Sequence, residues 1–182
     1  MNIYRSHLFL FIIFISSCSI NSAQYSFMKN QIISQKQELD PNWTLTWFRK
    51  NIDMYAVNDQ GFIYFINFDK VFIRFDGWQV NEVSGLFPNN SKMIIQKDGS
   101  DLIYFINNQN SGSDECDDWV EDPESDLKKW KQICHEKIIN YNYTNSIVMN
   151  ENEKIVGLKF KISNEYPPVI MRMNEYSDLV FD

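Results

Sequence analysis

Residues 43–84 read WTLTWFRKNIDMYAVNDQGFIYFINFDKVFIRFDGWQVNEVS. Trp43, Leu45 and Trp47 alternate with Thr44 and Thr46, and a period of two is typical of a strand with one buried face. Four further short strands are predicted in this stretch, at residues 54–57, 62–67, 71–75 and 79–84. The turns between these runs contain Asp, Asn and Gly, which favours antiparallel hairpins.

The same pattern continues towards the C-terminus, where strands are predicted at residues 93–96, 102–107, 141–149, 154–162 and 169–173. The segment FIYFIN at residues 62–67 recurs as LIYFIN at residues 102–107. Two copies are too few for a repeat array, so we interpret them as similar hairpins in one sheet. These patterns predict a single all-β domain at residues 42–182, built as an antiparallel two-sheet sandwich or a flattened barrel.

Residues 108–137 interrupt the strand pattern and are interpreted as an insertion. Asp122 before Pro123 is typical of a helix start, so one short helix is predicted from residue 123 to about 136. Acidic residues cluster just before and within this segment. They lack the spacing that wraps a loop around calcium, so a solvated loop is predicted and no metal site.

The N-terminus predicts an export signal, with Arg5, an apolar run at residues 8–15 and then Ser16-Ser17-Cys18. The run is too short to span a bilayer as a helix. The end of the segment resembles the lipobox of bacterial lipoproteins, which implies cleavage after residue 17 and a diacylglyceryl group on Cys18. Ser19 in place of Asp points to the outer membrane. The alternative is an ordinary secretory signal cut near residues 22–23.

Residues 18–41 are then a lipid-anchored tether, in which the spacing of the apolar side chains is compatible with a short helix. Two cysteines remain in the mature body, Cys116 and Cys134, and an even pair in an exported chain predicts a disulfide. Without the signal, 16 basic residues face 24 acidic ones, so the net charge of −7 becomes −8. This acidity argues against nucleic acid as a partner.

No catalytic constellation, phosphate loop or dinucleotide fingerprint is present, so no catalytic residue and no cofactor are predicted. His135 is the one histidine that remains after cleavage, which disfavours a zinc site. Trp78 lies in a turn and Trp119 in the acidic loop. These two are the candidate contacts for a glycan or a partner protein, whereas Trp43 and Trp47 are assigned to the core.

Two stretches carry a resemblance to a known family. Residues 55–61 (YAVNDQG), 71–80 (VFIRFDGWQV) and 82–86 (EVSGL), with residues 150–156 (NENEKIV), 159–162 (KFKI) and 166–170 (YPPVI), resemble YjbF/GfcB-type lipoproteins of capsule and exopolysaccharide operons. The resemblance implies an antiparallel β fold and a periplasm-facing lipoprotein that assists polysaccharide secretion. It implies no active-site residue.

Three function hypotheses follow. The first is a non-enzymatic lipoprotein accessory to capsule or exopolysaccharide export or assembly, with a polysaccharide or an export-machinery protein as its partner. The second is a periplasmic neutralising, immunity-type lipoprotein that binds a partner protein through its acidic loop. The third is a glycan-active enzyme, because a pair of catalytic carboxylates need not be close in sequence.

Overall fold

The computed structural model describes residues 25, 26, 30, 41–123, 125–163, 165–179 and 181. The chain separates into two units, residues 1–38 and 39–182. In the first unit, the described residues Tyr25, Ser26 and Asn30 have helical backbone conformation. Cys18 and the predicted signal peptide lie outside the described residues, so the lipobox and its cleavage stay predictions.

The second unit is built almost entirely of strands. Its strands are β1 Trp43–Trp47, β2 Lys50–Asp59, β3 Phe62–Ile66, β4 Phe72–Phe75, β5 Val80–Ser84, β6 Lys92–Asp98, β7 Asp101–Ile106, β8 Gln109–Cys116, β9 Val120–Asp122, β10 Lys128–Glu136, β11 Tyr141–Met149, β12 Ile155–Phe160 and β13 Val169–Met173. From residue 41 onward, the helical segments in the described part are two 3-10 turns, Pro88–Asn90 and Asn174–Tyr176. No described helix has the length and apolarity to cross a bilayer.

Twelve of these strands close into an antiparallel barrel. Each pairs with its neighbours in chain order, and β1 pairs with β13 to complete the ring. The short strand β9 continues β8 along the same edge of β10, since Cys116 pairs with Cys134 and Val120 pairs with Lys131. The predicted all-β class is confirmed, and of the two predicted architectures the structure has the barrel.

Apolar side chains from around the ring fill the interior. The largest fully buried side chains are Phe65, Phe75, Phe160, Leu45, Met54, Ile73, Met93, Ile95, Leu102, Ile147 and Leu158. They come from eight of the strands, which explains why the period-two pattern was readable in most of the sequence. Burial on this scale is the main contribution to the stability of the barrel.

The predicted helix at residues 123–136 is wrong, because residues 128–136 form strand β10 in the barrel wall. The interior positions of β10 include Gln132 and Glu136, which are buried, whereas Ile133 is 49% exposed. Polar residues inside and an apolar residue outside reverse the usual alternation, so the sequence carried no readable strand signal here. The segment interpreted as an insertion therefore supplies two wall strands, β8 and β10.

The two ends of the barrel differ in charge. The end where β1 starts carries the segments at residues 60–61, 76–79, 99–100, 117–119, 123–127, 150–154 and 174–179. Their described residues include eight acidic side chains and one basic side chain, and we name this the acidic end. The other end carries the loops at residues 48–49, 67–71, 85–91, 107–108, 137–140 and 161–168. Their described residues include four basic and two acidic side chains, and we name this the apolar end because Phe48, Ile138 and Ile139 are exposed there.

The β1–β2 turn at the apolar end is built from residues that suit it poorly. Phe48 and Arg49 have φ of 47° and 61°, the left-handed region that Asn and Gly adopt most readily. We expect Arg49→Gly to raise the free energy of unfolding by about 0.5–1 kcal/mol, because the side chain no longer opposes this conformation. Lys50→Gly is the matched control, since it removes the same charge from a strand position and should lower stability. Urea unfolding midpoints measure both, and an unchanged or lower midpoint for Arg49→Gly would contradict this account.

Candidate functional site

A cluster of ionisable side chains lies inside the barrel towards its apolar end. Asp114 on β8 faces Glu136 on β10 in the strand register, and on its other side it faces the core residue Leu102. Asp114 is 0% exposed and Glu136 is 2% exposed. Two carboxyl groups therefore sit opposite each other in the interior, which is destabilising unless other groups compensate them.

Three side chains provide that compensation. Lys161, which follows β12, forms a short ion pair with Glu136, and its Nζ lies 3.7 Å from Asp114 Oδ2. The Tyr104 hydroxyl donates to the same oxygen at 3.0 Å and the Tyr143 hydroxyl at 2.7 Å. Lys161 Nζ also lies 4.3 Å from the centre of the Tyr143 ring, a cation–π distance.

One acceptor in the cluster has no partner. Asp114 Oδ1 is buried and makes no hydrogen bond with the described residues. Among the described residues, the two carboxyl groups of Asp114 and Glu136 share one ammonium group, that of Lys161. Within the part of the chain that the structure describes, the cluster is thus one positive charge or one donor short of full compensation, and an unsatisfied buried group of this kind calls for a specific explanation such as a bound ligand or water.

Both tyrosines are held in their neutral form. Burial raises the pKa of Tyr104 far above its usual value, and the nearby Asp114 carboxylate adds to the shift. Burial likewise raises the pKa of Tyr143, with Tyr104 as the next contribution. Each hydroxyl therefore keeps the proton that it donates into the cluster.

Alkaline pH should weaken the fold through these two groups. Their folded pKa lies above the unfolded value of 10.0, so the unfolded state loses protons first. Their contribution to stability is complete below about pH 10 and falls above it by about 1.4 kcal/mol per pH unit for each tyrosine. Urea midpoints between pH 9 and 11.5 measure the slope, which Tyr104→Phe should reduce. An equal slope in wild type and Tyr104→Phe would contradict the assignment.

Two clefts open beside this cluster, on either side of the β10–β11 turn. The larger has a volume of about 420 Å³, and its lining includes Tyr141, Tyr143 and Lys161. The smaller, about 270 Å³, is lined in part by Tyr104 and Ser163. Glu136 lines both. Polar groups between aromatic walls suit a small ligand that carries hydroxyl groups.

The predicted disulfide is confirmed and fixes this geometry. Cys116 and Cys134 are directly opposite in β8 and β10, with Cα atoms 4.0 Å apart and a covalent bond between the sulfur atoms. The pair lies two residues from Asp114 and Glu136 on the same face of the sheet. The bond therefore fixes the register that places the two carboxyl groups opposite each other.

The two tryptophans that the sequence singled out lie together at the acidic end. The ring centres of Trp78 and Trp119 are 5.8 Å apart, and Trp130 packs edge-on against Trp78 at 5.3 Å. Asp76 Oδ1 accepts hydrogen bonds from the backbone N–H groups of Trp78 and Gln79 and so shapes the β4–β5 loop. Trp78 is 42% exposed. We name Trp78, Trp119 and Trp130 the tryptophan patch.

The barrel has a counterpart among solved structures. Its fold is similar to the crystal structure of the hypothetical lipoprotein YmcC from Escherichia coli K12. The TM-score is 0.51 at 13% sequence identity, and the match covers 86% of this chain and 96% of the YmcC chain. No family model matches the chain, and a search of curated proteins finds no match. At this identity the likeness to YmcC concerns the fold.

Sequence reasoning found the tryptophans and the cysteines but missed the buried cluster. Its members come from β7, β8, β10 and β11 and from the residue after β12. The available signal was the alternation of Gln132, Cys134 and Glu136, and of Tyr143 and Asn145, which places polar side chains and a cysteine at every second position. In the described residues, His, Cys, Asp and Glu form no group of three suited to a metal ion. The acidic run is divided, with Asp114 in the interior and Asp117 and Asp118 at the acidic end.

Proposed function

We propose that this protein is a lipid-anchored lipoprotein of the bacterial cell envelope and a non-enzymatic accessory to the export or assembly of capsule or exopolysaccharide. The observation that carries the proposal is the fold shared with YmcC, a hypothetical lipoprotein. The export signal and Cys18 agree with it independently. The polysaccharide role rests on the resemblance to YjbF/GfcB-type lipoproteins.

The anchor would be a diacylglyceryl group on Cys18, and Ser19 supports the outer membrane with the barrel facing the periplasm. Acyl chains contribute about 0.8 kcal/mol for each buried methylene group, so several chains hold a protein stably. The partners would then be the membrane, through the lipid, and a polysaccharide or a protein of the export machinery.

The tryptophan patch is the surface we assign to glycan contact. Aromatic rings present flat apolar faces with polar edges, which suits sugar rings. Trp78 is the exposed ring of the patch, while Trp119 and Trp130 are partly buried against the core and support it. The acidic side chains around the patch favour neutral or basic glycans over acidic ones.

Gene deletion with complementation tests the proposal. Deletion should reduce surface polysaccharide, and the wild-type gene should restore it. Trp78→Ala with Trp119→Ala should restore it poorly at normal protein levels. Ile133→Ala is the matched control, because Ile133 is 49% exposed against 42% for Trp78 and is not a member of the patch. Unchanged amount and length distribution of the polysaccharide after deletion would contradict the proposed role.

A second candidate function, a neutralising lipoprotein that binds a partner protein, is favoured by the charge of the acidic end. Eight acidic side chains against one basic side chain form a surface that would attract a strongly basic partner. Co-purification of a basic neighbouring gene product, lost at high salt, would support this function. Failure of any such product to co-purify would count against this function.

A further inference from the structure

Large apolar side chains project into solvent at the apolar end. Ile138 and Ile139 occupy the tip of the β10–β11 turn and are 72% and 63% exposed. Phe48 occupies the β1–β2 turn and is 52% exposed. Phe48 also sits at a positive φ, where Asn or Gly would be more stable, so its apolar ring has a stability cost.

These turn tips belong to one continuous surface. Phe48 packs against Tyr166 of the β12–β13 loop, with ring centres 5.9 Å apart. Pro168 of the same loop lines both the cleft that contains Ile139 and the depression that contains Phe48. We name Phe48, Ile138, Ile139, Tyr166 and Pro168 the apolar rim. Its most exposed members stand at the tips of turns, and exposed apolar patches of this kind mark protein or membrane contact sites.

The distribution of charge on the barrel favours one orientation at a membrane. Arg49 and Lys50 are exposed beside Phe48, whereas the opposite end of the barrel is acidic. Near an anionic membrane surface, a protein with this charge distribution turns its apolar end, with Arg49 and Lys50, towards the membrane and its acidic end away from it.

We propose that the apolar rim is a membrane-contact surface, in which Phe48, Ile138 and Ile139 enter the interfacial layer of a bilayer that contains anionic lipid. The tryptophan patch at the acidic end then faces away from the membrane. This inference rests on the proposed lipid anchor only in that Cys18 would bring the barrel to the bilayer. The 24 residues between Cys18 and Trp43 can span at most about 80 Å, which allows either end of the barrel to reach the membrane.

Two spin-labelled variants test this orientation in the full mature protein. Asn140→Cys places a probe at the β10–β11 turn, and Asn152→Cys places one in the turn after the other end of β11. Both native asparagines are exposed, and the cysteine pair of the body is already bonded. In phosphatidylethanolamine–phosphatidylglycerol vesicles, the probe at 140 should collide several-fold less with a water-soluble nickel relaxant and more with oxygen. The probe at 152 should stay accessible to the nickel relaxant.

A further variant tests the side chains themselves. Ile138→Ser with Ile139→Ser should restore nickel access at the probe at 140 without changing the thermal midpoint, since both isoleucines are exposed. Equal nickel access at the two probes in vesicles would overturn the proposal. So would shielding of the probe at 140 without vesicles, which would indicate a second copy or a partner on the rim. The intact mass of the same sample shows separately whether Cys18 carries a lipid. An unlipidated Cys18 would contradict the proposed anchor, whereas the accessibility of the two probes would still decide whether the apolar rim contacts the membrane.

Discussion

Replacing Lys161 by Met is expected to lower the free energy of unfolding by about 3–5 kcal/mol, because it leaves Glu136 and Asp114 buried without their cation. Lys161 is the ammonium group that contacts both carboxyl groups. Folded domains are stable by only about 5–15 kcal/mol, so a loss of this size would remove a large part of the total. Urea unfolding followed by tryptophan fluorescence measures it.

Lys154→Met is the matched control for this prediction. Lys154 is exposed, and its replacement should change stability by no more than about 0.5 kcal/mol. Adding Glu136→Gln to Lys161→Met should recover part of the loss, since one uncompensated charge is then removed. Equal effects of Lys161→Met and Lys154→Met would show that the cluster is not the buried charge network described here.

Loss of the disulfide should have the second largest effect. Cys116 and Cys134 are 18 residues apart, and a loop of this length corresponds to about 3 kcal/mol on the chain-entropy model. We expect Cys116→Ala with Cys134→Ala to unfold at clearly lower denaturant concentration than wild type. The variant also removes a covalent constraint on the register of β8 against β10.

Reduction supplies the control for the disulfide. A thiol reductant should shift the wild-type midpoint towards that of the double-alanine variant and should leave the variant unchanged. The account would be contradicted if the variant and wild type unfolded at the same denaturant concentration, or if the reductant left the wild-type midpoint unchanged. The bond would then have no part in stabilising the barrel.

The sequence was informative where a strand has one apolar and one polar face. In β1 and β12, inward residues such as Leu45 and Leu158 are fully or nearly fully buried, and alternation alone predicted the strands. In β10 the interior positions include the polar residues Gln132 and Glu136, of which Glu136 belongs to the buried cluster, so polar side chains in the interior erased the strand pattern. The helix prediction at residues 123–136 was thus wrong because β10 departs from the alternation of apolar inward and polar outward residues.

The candidate sites differ in how much of each could be predicted from the sequence. Trp78 and Trp119 were chosen separately as a turn and a loop residue, and their contact depends on barrel closure, which no local pattern encodes. The Cys116–Cys134 bond followed from counting cysteines in an exported chain. The group of Asp114, Glu136 and Lys161 depends on three segments that are brought together by the pairing of β8 with β10, β10 with β11 and β11 with β12.

Intact mass spectrometry of the protein extracted from membranes of its host tests the central claim most directly. A lipid-anchored barrel predicts a chain that begins at Cys18, heavier by a diacylglyceryl modification and lighter by two hydrogens for the Cys116–Cys134 bond. A full-length chain that retains residues 1–17, or an unmodified chain that starts elsewhere, would contradict the anchor and with it the proposed envelope role.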